Sequence, residues 1–242
     1  MRILLPLLLL LGLPVQAATL KVAVAANFKS TLEQVVAAWE AQTGNRVQIS
    51  AGATGALYTK ILHGAPYDLF LAADDLRPAQ LVAQGLASEE TLSDYAVGVL
   101  AFWNPGGLAD ETTLTHWSSR LAMANPRTAP YGAAAEQAAQ HLDILSKLKG
   151  KVVRGNNILH TFQYVQSGNA PAGLVSLAQL KAAGIPPQQY WLIPPQWHGS
   201  LTQQGVVLNR SAHPEEAGAL LEFLLAQNEL LSQAGYNIPD DH

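Results

Sequence analysis

Arg46-Val-Gln-Ile-Ser-Ala-Gly-Ala-Thr-Gly-Ala-Leu-Tyr58 is the stretch whose reading decides the fold. Arg46 to Ser50 alternate polar and apolar side chains, the period of a short strand. Leu57, Tyr58 and Ile61 then recur at helical spacing, and Gly64 is placed to stop the helix. Between them, small and hydroxyl residues fill a turn at the C-terminal end of the strand, where the helix begins. Such a turn aims free backbone N–H groups and the positive end of a helix dipole at its occupant, usually an anion.

The same unit recurs on either side. Thr19 to Ala25 reads as a strand, Ala26-Asn27-Phe28 as a turn, and Leu32, Val35, Val36 and Trp39 as the apolar face of a helix ended by Gly44. Tyr67 to Ala73 is a third strand, with a helix from about Pro78 to Gln84. Strands alternating with helices at this spacing predict a parallel α/β sheet. Tyr95 to Trp103 reads as one long apolar strand, and Leu121 to Asn125 starts a second α/β run. That run has a helix over 133–149, a strand over 151–154, a helix ending near Ser167 and a strand over 172–177. Residues 203–208 form a last strand, and 214–234 an amphipathic helical tail. The layout is an α/β fold of two lobes: residues 18–99 with 202–242, and an inserted lobe of 100–201. The strands near 95–103 and 203–208 are the crossings, and a small ligand is expected in the cleft between lobes, at strand C-terminal ends.

Composition bounds the function. Met1-Arg-Ile, the apolar run Leu4 to Leu13 and Val15-Gln-Ala17 read as a signal peptide over residues 1 to about 17. The apolar run is too short for a permanent anchor. The chain has no cysteine, which excludes disulfides, thiol catalysis, thiolate metal sites and a lipid-modified Cys. A freely diffusing periplasmic protein, expected to be monomeric, fits this pattern. A net charge of −4 offers no basic surface for nucleic acid.

Four turns follow a strand and open a helix: Ala26-Asn27-Phe28, Ala53-Thr54-Gly55, Ala129-Pro-Tyr-Gly132 and Asn156-Asn157-Ile158. Two fall in each lobe. Asn and Thr suit helix N-caps, which alone accounts for any single turn. Four converging on one cleft also suit a dianion, because hydrogen bonds to charged groups contribute roughly 1.5–3 kcal/mol each. Neutral dipoles suffice where water is excluded. None of the four turns contains Asp or Glu, so the site has no acceptor for the proton that phosphate keeps part of the time. A donor-only site suits fully ionised tetrahedral oxyanions such as sulfate, molybdate or tungstate.

At these turns the sequence resembles the periplasmic molybdate-binding proteins of ABC importers. The resemblance is carried by Val24-Ala-Ala-Asn-Phe28 with Thr31-Leu-Glu33, by Ser50 to Gly55, and by Gly64-Ala-Pro-Tyr-Asp-Leu-Phe-Leu-Ala-Ala-Asp74. It continues through Asn125-Pro-Arg-Thr-Ala-Pro-Tyr-Gly132, Ala170-Pro-Ala-Gly-Leu-Val175 and Ala234-Gly-Tyr236. It implies a two-lobed periplasmic-binding-protein fold, type II-like, that closes over molybdate or tungstate and delivers it to the importer's permease subunits. By matching position, it implies that Asn27, Thr54, Tyr131 and Ile158 are the oxyanion-binding residues, with no cofactor beyond the anion carried. Ala26 lacks a hydroxyl that some relatives have, Thr54 stands where Ser is common, and neither Ser176 nor Leu177 is the Tyr that some members use nearby.

Other chemistries are poorly supported. The seven His residues show no H-E-x-x-H and no tight pairing, which argues against a metal site. The chain has no G-x-S-x-G, no P-loop and no dinucleotide fingerprint. A periplasmic hydrolase using Thr54 lacks a sequence-adjacent base. Asp68, Asp74 and Asp75 are expected to cap a helix or tie loops together, and Tyr190, Trp191 and Trp197 to pack on a surface loop.

Overall fold

A computed structural model describes residues 17–239. Residues 1–16, nearly all of the expected signal segment, lie outside the described residues. The first half-sheet is laid down as the alternation predicts: β1 (Thr19–Ala25), α1 (Lys29–Thr43), β2 (Arg46–Gly52), α2 (Thr54–Leu62), β3 (Leu69–Leu71) and α3 (Leu76–Ala83). Gly44, in the left-handed region, ends α1. Then come β4 (Ser93–Val97), β5 (Leu100–Trp103), α4 (Glu111–Thr115), β6 (Leu121–Ala124), α5 (Pro130–His141), β7 (Val152–Gly155), α6 (Ile158–Gln166), β8 (Ala172–Ser176) and α7 (Leu177–Ala182). The chain closes with β9 (Tyr190–Leu192), β10 (Thr202–Val207), α8 (Pro214–Leu225) and α9 (Asn228–Ala234).

Two five-stranded sheets result, in the orders β2-β1-β3-β10-β4 and β7-β6-β8-β5-β9. In each, three strands pair in parallel, and the strand that follows a crossing, β10 in one sheet and β5 in the other, runs antiparallel to both of its neighbours. Alternation along β1 sorts the layers. Leu20, Val22 and Val24 face α1 and α8, whereas Ala23 packs with Leu57 and Ile61 of α2 on the other face. The second sheet is covered likewise, by the alanine face of α5 on one side and by Phe162 and Val165 of α6 on the other. Each fully buried Leu, Val or Phe in these layers contributes roughly 1.5–3 kcal/mol.

The structure corrects several expectations. The apolar run 95–103 is two strands in different sheets, broken at Gly98-Val99, so the crossing is a break and not a continuous strand. The helix expected over 133–149 starts at Pro130 and ends at His141, because Asp143 turns into the left-handed region at φ 54°. Tyr190 and Trp191 are not on a loop: they belong to edge strand β9, paired with Phe102 and Trp103. The tail is two helices, separated at Ala226-Gln227.

The crossings lie side by side. Gly98 N–H donates to Leu201 O (3.0 Å), and Val97 pairs with Asn237. Around them three tyrosine hydroxyls, of Tyr95, Tyr131 and Tyr236, are buried, and burial raises each above the ordinary tyrosine value of 10.0. The unfolded chain therefore loses these protons first as pH rises. Stability is expected to be intact below about pH 10 and to fall above it, by up to about 1.4 kcal/mol per pH unit for each tyrosine. Denaturant midpoints across that range, compared with Tyr95→Phe, check the slope.

Candidate functional site

All four junction turns meet at one place between the sheets. Asn27, Thr54, Tyr131 and Ile158 line a single cavity, together with Ala26, Ala53, Ala73, Ala129 and Asn157 among others. Each is there because a strand ends and a helix begins beside it: α1, α2, α5 and α6 all present their N-termini. No Asp, Glu, Lys or Arg lines the cavity among the described residues. The space open to the centre of a water-sized sphere is about 10 Å³, roughly one water.

Three of the four turns leave their first amides uncapped by side chains. α2 has Ala53 as N-cap and α5 has Ala129, neither offering a side-chain acceptor. Phe28 precedes α1 without a cap bond. At α6 Asn157 is a true cap, its Oδ1 accepting from His160 N–H (2.9 Å), but the Ile158 N–H is not the amide it satisfies. Among the described residues, the N–H groups of Asn27, Thr54, Tyr131 and Ile158 have no hydrogen-bond acceptor.

The side chains behind these amides are spoken for. Asn27 Nδ2 donates to Gln203 Oε1 (2.9 Å) and Tyr236 OH (3.3 Å), and Tyr236 OH donates to Asn27 O (2.9 Å). That leaves the backbone N–H as the donor Asn27 has free. Thr54 is 1% exposed and is not a cap; its Oγ1 accepts from Ala73 N–H (3.1 Å). Its own hydroxyl proton has no acceptor among the described residues. The cavity thus gathers four amides and one hydroxyl, all neutral donors, at helix N-termini.

Two bonds join the lobes at the rim. Gly55 N–H donates to Thr128 O (2.8 Å), and Arg77 Nη2 donates to Arg127 O (3.4 Å). A Cβ on Gly55 would stand 3.1 Å from Thr128 Cα, so a side chain there would push the two segments apart by a few tenths of an ångström. Arg77 is held by Asp74, which takes both its guanidinium and its backbone N–H. Burial raises the Asp74 carboxyl above its ordinary value although Arg77 pulls the other way. Asp68 instead ties β1 to the loop before α8, accepting from Lys21 N–H and Ser211 Oγ (both 2.7 Å). The Arg127 and Arg154 side chains are exposed, and His160 is half-buried outside the cavity lining.

Because Arg77 grips a main-chain oxygen, the two arginines are separable. Arg77→Met is expected to weaken anion binding about three- to tenfold through faster dissociation, the share of one modest hydrogen bond. Arg127→Ala keeps that carbonyl and is expected to bind as the parent does; stopped-flow dissociation measures both.

Sequence reasoning missed Gln203, which sits behind Asn27 at 0% exposure. Its only signal was a polar residue at the start of an apolar strand.

The chain was compared with known proteins. A family model described as bacterial extracellular solute-binding protein matches residues 20–237. The molybdate-binding protein ModA of Azotobacter vinelandii is 36% identical over 236 residues, covering 95% of this chain and 94% of that protein. ModA of Rhodobacter capsulatus is 34% identical over 235 residues, covering 93% and 91%. The solved periplasmic molybdate-binding protein of Azotobacter vinelandii superposes with a TM-score of 0.86 at 35% identity, over 91% of this chain and 100% of that one. With two α/β sheets, a donor-lined cavity at their junction and a match from Leu20 to Asn237, the chain belongs to the bacterial extracellular solute-binding protein family.

Proposed function

We propose that the protein captures molybdate or tungstate outside the cytoplasm and delivers it to the permease of an ABC importer. The observation that carries this reading is the cavity itself: among the described residues, four uncommitted amides at helix starts and the Thr54 hydroxyl, with no charged side chain lining it. A tetrahedral dianion offers lone pairs in all four directions. Five charge-assisted bonds at roughly 1.5–3 kcal/mol each offset its desolvation. No carboxylate stands ready to accept a proton from the ligand, which favours fully ionised oxyanions over phosphate. Asn27, Thr54, Tyr131 and Ile158 are the binding residues in this reading. The relatives named for molybdate support the choice of anion.

Capture follows from geometry. The lobes, 18–99 with 202–242 and 100–201, each supply two of the turns. An anion therefore gains its full set of donors only when they close, and it shifts the population toward the closed form. Closed protein is the form presented to the permease, and reopening there releases the anion. The reading includes export through the N-terminal apolar segment, a monomeric carrier and no catalytic step.

Titration calorimetry of the purified, anion-stripped protein tests this reading. One-to-one binding of molybdate and tungstate, with little response to sulfate or phosphate, is expected, together with a raised melting temperature. Binding of sulfate alone would change the cargo, and binding of none of the four would overturn the reading.

A further inference from the structure

Gln203 lies on β10, the strand that follows the return crossing, and lines no part of the cavity, yet it touches a cavity-lining residue from each lobe. Its Oε1 accepts from Asn27 Nδ2 (2.9 Å) in the first lobe, and its Nε2 reaches Tyr131 OH (3.5 Å), a long bond, in the second. Tyr95 OH lies 3.0 Å from the same Oε1 and 2.9 Å from Ala72 O. Oε1 faces the Asn27 amide and Nε2 faces the Tyr131 hydroxyl, and this orientation of the Gln203 amide matches donor to acceptor on both sides, while the single Tyr95 proton is shared between Oε1 and Ala72 O. The space is fully used: a Cβ on Gly98 would stand 2.8 Å from Gln203 Nε2 and 2.2 Å from Tyr131 OH.

A buried polar network of this kind favours one arrangement, because a Gln203 amide that rotates sets its Nε2 against the Asn27 amide donor. Asn27 and Tyr131 both line the cavity, their backbone N–H groups have no acceptor among the described residues, and both side chains are bonded to the same Gln203 amide. We propose that Gln203 is a positioning residue for oxyanion capture: it fixes the donors of the two lobes relative to one another in the closed form. Nothing in its own chemistry contacts the anion. This inference rests on the oxyanion-binding reading above.

The test is a double-mutant cycle on molybdate affinity and dissociation rate, using Gln203→Met and Tyr131→Phe in the full chain. Tyr131→Phe removes only the hydroxyl and keeps the backbone donor. Gln203→Met is expected to weaken binding at least about tenfold and Tyr131→Phe about threefold or more, mainly by faster release. In the Gln203→Met background, Tyr131→Phe is expected to cost almost nothing further, since the link is already cut. A merely structural Gln203 would lower the ligand-free melting temperature while the losses in affinity stayed additive; that outcome overturns the proposal. If Gln203→Met does not fold, Tyr131→Phe decides alone, and parental affinity and release rate in that variant sink the idea. A parent protein that binds no molybdate, tungstate or sulfate would overturn the oxyanion reading itself, which separates the two failures.

Discussion

Gly98→Ala is expected to weaken oxyanion binding by about ten- to a hundredfold while leaving a folded protein. The backbone of Gly98 is not in the left-handed region, so alanine meets no conformational penalty there. The effect is steric. Its Cβ would lie 2.2 Å from Tyr131 OH and 2.8 Å from Tyr131 Cζ, where ordinary contact needs more than 3.4 Å. Tyr131 is 1% exposed and its ring is rigid, so the hydroxyl has nowhere to swing. Overpacking of this kind costs about 1–3 kcal/mol. The cost falls on the closed form, since Tyr131 belongs to the inserted lobe and Gly98 to the crossing: parting the lobes relieves the clash. At about 1.4 kcal/mol per tenfold, the loss appears in affinity. Calorimetric titration beside a ligand-free melting curve separates the two effects, and parental affinity in this variant would remove the crossing from the account.

Thr54→Leu is the more severe change, with an expected loss of at least about a hundredfold. Three consequences act together. The variant loses the one hydroxyl donor, worth roughly 1.5–3 kcal/mol to an anion. It fills a cavity that holds only about 10 Å³ for the centre of a water-sized sphere. It also strands the Ala73 N–H, which now bonds Thr54 Oγ1, at about 1–3 kcal/mol of stability. That last cost lowers the melting temperature by about 2–4 °C per kcal/mol for a chain of this size. Thr54→Ser keeps the oxygen and is expected to bind within about threefold of the parent. A Leu variant that binds normally would place the anion elsewhere.

Much of this was legible because each signal was local. β1 runs over Thr19–Ala25, the strand read there, and the small-residue turn after Ser50 opens α2 as expected. The four turns were readable as strand ends followed by helix starts, and the four residues that the family resemblance singled out in them line the one cavity. What was not legible depends on distance or on a pattern that survives a break. Tyr95 to Trp103 reads as one strand because residues on both sides of Gly98 are buried in their own sheets, so the apolar run continues through the hinge. The end of α5 is hidden because Leu142, Ile144, Leu145 and Leu148 keep packing on the same core after the helix stops. β9 was obscured by flanking prolines, although Trp191 pairs with Phe102. Gln203 was invisible for a different reason. Its partner Asn27 is 176 residues away, and no spacing rule reaches that far.

Distance in sequence also hides how Asn27 acts. A sequence reading supplies the residue type, and an Asn at a helix start suggests a side-chain donor or cap. In the fold both Nδ2 hydrogens are directed at Gln203 and Tyr236, so the free donor is the main chain. Thr54 likewise looks like a cap in sequence and is instead the first residue of α2, with its hydroxyl on Ala73.

The most direct measurement is a crystal structure of the molybdate complex with the molybdenum located by its anomalous signal. The account predicts one metal-centred peak between the N-termini of α1, α2, α5 and α6. Oxyanion oxygens should lie about 2.7–3.1 Å from the backbone nitrogens of Asn27, Thr54, Tyr131 and Ile158. A peak outside that cavity, or an anion held by the guanidinium of Arg77 or Arg127, would contradict it.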